Sequence, residues 1–184
     1  MPVDRRHAVL EQRGERWALV FERVLPWPPE RVWRALTERG ELERWHPTPF
    51  SLEQPEPGAT LAFQPPQQVP DMGPGRLLEY DPPRLLAHTW FEDELRWELS
   101  EEGTGCRLKL VHTFEDRFKA ARDGAGWHLC LQALEEALEG TPHARRGADG
   151  QQEPRIPEGW SELNDEYQRL FGISSEMATP VPGT

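Results

Sequence analysis

Histidine is the residue of widest chemical range in this 184-residue chain, and six occur, at positions 7, 46, 88, 112, 128 and 143. A metal centre wants imidazoles at short fixed spacings, or paired cysteines, so that several ligands leave one element toward one point. No H-x-H, H-x3-H or HExxH spacing is present, and Cys106 and Cys130 stand far apart. The spacing supports no metal centre and calls for no cofactor. Nucleophilic catalysis finds as little. Ser51, Ser100, Ser161, Ser174 and Ser175 fall at strand edges, in a C-terminal helix or in the tail, and none stands in G-x-S-x-G. Cys130 falls near the inner face of a helix, where a thiol is usually an inert small hydrophobe. Gly73-Pro74-Gly75 lacks the spacing and the following Lys and Ser/Thr of a phosphate loop.

His112 stands out from the six. In Cys106–Phe114, Leu108, Leu110, His112 and Phe114 alternate with Arg107 and Lys109, the period of a strand with one covered face. His112 then points into apolar surroundings. One reading is a polar anchor in a greasy pocket that orients a ligand or passes a proton. The other is a core histidine satisfied by a neighbouring partner. Trp45, His46 and Trp127 divide the same way, between ordinary packing and the wall of a ligand site.

The elements that position these residues read as follows. Residues 7–12 and 16–25 are strands joined across Gly14. Pro26–Pro29 stop the second strand, and Val32, Trp33 and Leu36 at helical spacing predict a short helix over 29–38. Gly40 breaks it, and Leu42 and Trp45 lie on a second short helix ended by Pro47 and Pro49. Short strands follow at 50–53 and 59–64, then a long Pro/Gln-rich loop over 64–74 suited to a lid. Strands at 76–80, 85–91, 95–100 and 106–114 have short links, hence an antiparallel meander. After Asp123, read as an N-cap, Trp127, Leu131, Leu134 and Leu138 mark the inner stripe of a long helix stopped by Gly140 and Pro142. Residues 6–140 therefore form one domain, 141–157 a polar linker, 158–172 an amphipathic helix and 173–184 a flexible tail. On that last helix Trp160, Leu163, Tyr167, Leu170 and Phe171 share one face, which must bury against its own domain or against a second copy as a homodimer.

Composition narrows the function classes. A net charge of −11 argues against nucleic acid and against an anionic membrane surface. With no 18-residue apolar run, no signal-peptide core at the start and two isolated thiols, the expectation is a cytoplasmic protein. Eight Trp and seven Phe supply more flat apolar surface than a two-layer core demands.

The blocks FERVLPWPPERVWRALTERGELERW, GRLLEYDPPRLLAHTW, LRWELSEEGTGCRLKLVHTF and AGWHLCLQALEEALEG resemble the SRPBCC superfamily. Within it they resemble the bacterial branch related to the C-terminal domain of the activator of the ninety-kilodalton heat-shock-protein ATPase. WSELNDEYQRLFG is similar to a segment that follows this domain in such proteins. The resemblance spans residues 6–172 and implies an α+β helix-grip fold: a curved antiparallel sheet wrapped around a long C-terminal helix, with two short helices after the first long strand. It also implies a place for lipids, sterols, polyketides, plant hormones or other hydrophobic metabolites between sheet and helix. Some superfamily members, such as aromatase/cyclases, do chemistry there, and the named branch has a protein–protein activity.

Three functions follow in order. The first is noncatalytic binding of a hydrophobic small molecule by Trp45, His46, Phe63, Tyr80, Trp90, Trp97, His112, Phe114, Trp127 and Leu131, with His112 or Tyr80 giving direction. The second is a protein-partner or co-chaperone-like module. The third is a cyclase or hydrolase with pocket His and Tyr as acid and base. An empty interior cavity of at least ~300 Å³ favours the first, and a filled interior with an exposed apolar patch favours the second.

Overall fold

The computed structural model describes residues 6–64, 73–141 and 157–174. Most of the expected lid, linker and tail lie outside these. Eight strands form one antiparallel sheet, β1 Val9–Arg13, β2 Arg16–Leu25, β3 Phe50–Ser51, β4 Thr60–Phe63, β5 Gly75–Asp81, β6 Leu85–Trp90, β7 Asp93–Glu102 and β8 Gly105–Phe114. Their order across the sheet is β1-β2-β8-β7-β6-β5-β4-β3. Helices α1 Pro29–Thr37 and α2 Arg39–Leu42 follow β2, and α3 Ala120–Leu138 crosses the inner face of the sheet. α4 Trp160–Phe171 completes the fold.

The local chemistry explains these bounds. Gly14 and Gly103, at φ 65° and 59°, take the positive φ that the two tight hairpin turns require. Pro29 opens α1 with no amide hydrogen to lose, and Glu30 suits the positive end of its dipole. α3 begins earlier than its sequence pattern suggests. Asp123 lies in its first turn and is not its cap. A single 3₁₀ turn at Arg117–Lys119 leads in instead, with the Asp116 side chain accepting from the Phe118 amide (2.9 Å). Asp123 is drawn inward by Lys119 and Arg122, which pair with its carboxylate at 3.3 and 3.0 Å.

The core lies between the sheet and α3. Trp127, Leu131, Leu134 and Leu138 are all buried on the helix stripe, facing Leu19, Phe21, Leu95, Trp97, Leu108 and Leu110. α4 packs on α3 of the same chain, so its apolar face does not require a second copy. Tyr167 is its anchor: the ring lies 3.3 Å from where a Cβ on Gly124 would stand. The Tyr167 hydroxyl accepts from the Ala8 amide (3.0 Å) and meets His128 Nδ1 (3.0 Å). Trp160, Leu163 and Phe171 pack partly buried against the core, whereas Leu170 stays exposed, contrary to its expected place on the inner face.

β8 begins in close contact with the end of β2. A Cβ on Gly105 would stand 2.0 Å from the Leu25 carbonyl oxygen, and backbone cannot yield to that. Gly126, mid-helix in α3, has open space at the same position. Gly105→Ala therefore lowers stability by about 1–3 kcal/mol. Gly126→Ala raises it by about 0.5–1 kcal/mol. Urea-unfolding midpoints of the two variants read both signs.

Candidate functional site

Register places the polar residues of the inner face. Leu77 pairs with His88, His88 with Leu95, Leu95 with His112 and His112 with Leu19, so one row across the sheet carries both imidazoles. They are two strands apart, about 10 Å, with Leu95 between. A neighbouring row, Tyr80, Leu86, Trp97, Leu110 and Phe21, is almost wholly apolar. The two-residue turn Phe91-Glu92 joins Trp90 to its cross-strand partner Asp93, and holds Phe91 at φ 53°, uncommon for a bulky side chain.

The aromatic rings of the sheet, of the segment after α2 and of α3 meet in one cluster. Trp127 reaches down from α3 to Trp90 (centroids 5.3 Å), His46 (5.6 Å), Trp97 (5.7 Å) and His112 (6.3 Å). Trp45 is fixed just after α2 because its Nε1–H donates to the Ala35 carbonyl (2.8 Å), and its ring meets Trp97 (5.6 Å) and His46 (5.1 Å). Phe50 continues the cluster from His46 (5.6 Å) to His88 (5.1 Å) and Phe63 (6.0 Å). These are edge-to-face and tilted contacts, and the rings touch; each such pair adds about 0.5–1.5 kcal/mol beyond the area it buries. Trp90 closes one end. It is half-buried, and its Nε1–H donates to Thr48 Oγ1 (2.8 Å).

Behind His112 lies a buried ion cluster. His112 Nε2 meets Asp93 Oδ2 at 2.7 Å, and the same oxygen accepts from the Lys119 ammonium, which also pairs with Asp123. Burial alone would raise the Asp93 carboxyl. Hydrogen bonds and charge from His112 and Lys119 outweigh it and hold the group below its ordinary range. Possible ligand atoms of Asp93, His112 and Asp123 lie within 4.8 Å of one another, a grouping that spacing could not reveal. Lys119 already supplies the cation that two such carboxylates need.

Of the expected residues, Trp45, His46, Trp90, Trp97, His112 and Trp127 converge. Phe114 lies on His112 (5.1 Å) with Lys119 over its ring (5.3 Å). Phe63 borders the far side of the cluster, and Leu131 is buried one turn along α3 from Trp127. Tyr80 packs instead on Trp33 of α1 (5.4 Å). Phe50, His88, Asp93 and Lys119 were missed as site residues. His88 was findable, since Leu86, His88 and Trp90 share the inward period of β6. Two clefts open elsewhere. One of about 400 Å³ lies on the outer sheet face, lined by Arg84, Arg96, Arg107 and Lys109 among others. One of about 560 Å³ is bounded by Pro28, Trp33, Pro82 and Pro83. Cys106 and Cys130 are both buried, and burial pushes the Cys106 thiol up to about 11.

His88 gives the site a pH signature. Burial pushes its imidazole down to about 4, against a partial offset from its bond to the Thr89 carbonyl (2.9 Å). The unfolded chain binds this proton below about 6.5 and the folded one only below about 4. The stability gained from keeping His88 neutral is thus full above pH 6.5 and is lost as pH falls through this window. It amounts to about 3 kcal/mol. Asp93 adds loss of the same sign only at lower pH, as its own carboxylate takes up a proton. Urea unfolding of wild type should show the slope between pH 6.5 and 4, and a His88→Leu variant should show a shallower one there.

No curated protein matches the chain by sequence. Among solved structures, CalU16 from Micromonospora echinospora is similar at 22% identity over 90% of this chain and 97% of its own, with a TM-score of 0.67. The conserved protein EF2215 of unknown function from Enterococcus faecalis matches at 18% identity over 91% and 92%, TM-score 0.67. The protein encoded by BPP1335 of Bordetella parapertussis matches at 28% identity over 86% and 87%, TM-score 0.63. These likenesses, with the curved sheet and the helix across it, establish the helix-grip fold. The profile described as Activator of Hsp90 ATPase homolog 1-like protein matches residues 26–139, from the end of β2 to the end of α3. The chain belongs to the Activator of Hsp90 ATPase homolog 1-like family.

Proposed function

We propose that the protein binds a hydrophobic small molecule, without transforming it, in the ring-lined space between the sheet and α3. The observation that carries this reading is the convergence of Trp45, His46, Trp90, Trp97, His112 and Trp127 on one place from β6, β7, β8, α3 and the segment after α2. A two-layer core is as well filled by aliphatic side chains. A wall of indoles offers flat, polarisable surface that a planar ligand can share. Because the rings touch, a ligand must displace one of them. Trp90 is the side chain to move, being half-buried and tied by one bond to Thr48. Each Å² of apolar surface removed from water then contributes roughly 25 cal/mol. The net charge of −11 and two buried thiols support a cytoplasmic setting. No helix among the described residues is long and apolar enough to cross a membrane.

A second reading, a module that docks a partner protein, draws support from the filled interior and from the two clefts on the outside. Exposed Val9, Val24, Phe91, Phe118 and Leu170 offer it apolar contacts, although they come from separate parts of the chain. Native mass spectrometry of the purified protein, followed by denaturation and analysis of what is released, decides between the two. The expected result is an apolar molecule of one mass, bound one per chain. A protein that stays ligand-free, and gains none from a panel of planar aromatic compounds, gives the place to the partner reading.

A further inference from the structure

Hydrogen-bond accounting across the row of imidazoles says what kind of polar group a ligand would carry. This step rests on reading the ring-lined interior as a ligand site. A carboxylate can only accept, so in the neutral His112 ring the proton resides on Nε2, shared with Asp93 (2.7 Å). Nδ1 is then a bare lone pair. It is fully buried and has no hydrogen-bond partner among the described residues. The rings of Trp90, Phe114 and Trp127 flank this imidazole at 5.6, 5.1 and 6.3 Å. His88 repeats the arrangement. Its Nδ1 faces the Thr89 carbonyl, which also only accepts, so the ring proton is there and Nε2 is the bare acceptor, buried without a partner among the described residues.

An acceptor buried in apolar surroundings has given up its bond to water while unpaired, and a ligand that donates to it recovers that loss. A ligand carbonyl or ether oxygen would instead face lone pair to lone pair. We propose that this interior selects aromatic molecules bearing a hydroxyl group, with His112 Nδ1 accepting the hydroxyl hydrogen and Asp93 acting as the positioning residue that fixes the ring's tautomer. Lys119 keeps Asp93 ionised, and so belongs to the same device. His88 Nε2 stands ready for a second donor about two strands away.

Equilibrium dialysis of the purified full chain against 2-naphthol, naphthalene and 2-methoxynaphthalene tests this. The three share one ring system, and only the first donates. Wild type should hold 2-naphthol at least about tenfold more tightly than either of the others, the equivalent of one buried hydrogen bond. The ratio should fall toward one in His112→Phe, which removes the acceptor, and in Asp93→Asn, which removes the charge that fixes the tautomer. A merely structural Asp93 would weaken all three probes together and leave the ratio alone. Since the wild-type ratio needs no variant, poor folding of either substitution leaves the test intact. Equal binding of the three probes by wild type overturns the hydroxyl preference while leaving the ring-lined site standing. A preference that survives both substitutions overturns the assignment to His112. Binding of none of the probes removes the preference and the interior site together.

Discussion

Trp127 is where the helix and the sheet become one object. Its indole lies against Trp90, Trp97, His46 and His112, so residues from β6, β7, β8 and the segment after α2 all have their positions set by a single side chain of α3. Burying an indole of this size is among the larger single contributions a small domain can make. Truncating a core Trp costs about 3–5 kcal/mol because the surroundings refill the space only in part. Everything else in the interior is arranged around that contact. The two imidazoles flank Leu95 beneath it, and the short helices deliver Trp45 and His46 to its side.

The buried polar groups follow from the same arrangement. A sheet with one wet face can bear charge cheaply on the outside, and it does. Arg96, Glu98, Arg107 and Lys109 pair with one another and with neighbouring acids where water screens them. On the inner face the same chemistry is expensive. Asp93 is admitted there because His112 and Lys119 satisfy it. His88 is admitted because it stays neutral.

Much of this was legible in the chain. The alternation of Leu95, Trp97 and Leu99 against Arg96 and Glu98 is a statement about faces, and β7 obeys it. The stripe Trp127, Leu131, Leu134, Leu138 fixed which side of α3 is buried. The misses have physical causes. Asp123 carries a strong local capping signal, but Lys119 outbids it by pulling the carboxylate inward, and the helix starts earlier. Asp93 reads as a turn residue, where an acid normally faces water; only the register of β7 on β8 and the approach of Lys119 bring it to His112, and neither is written in local spacing. Tyr80 is offset by the irregularity between Leu77 and Glu79, which sets it against Trp33 and apart from the histidines. Leu170 shows the limit of helical periodicity, since a stripe wider than its partner leaves one edge uncovered.

The turn between β6 and β7 ties two of these parts mechanically. Trp90 and Asp93 are opposite partners across only two residues, one of them Phe91 in a backbone conformation that favours glycine and costs a bulky residue about 1 kcal/mol or more. So short a link has no slack. It fixes the distance along the chain between the Trp90 indole and the Asp93 carboxylate that meets His112. The indole packed on Trp127 and the carboxylate bonded to His112 are thus spaced by one hairpin turn, and lengthening that turn would separate them.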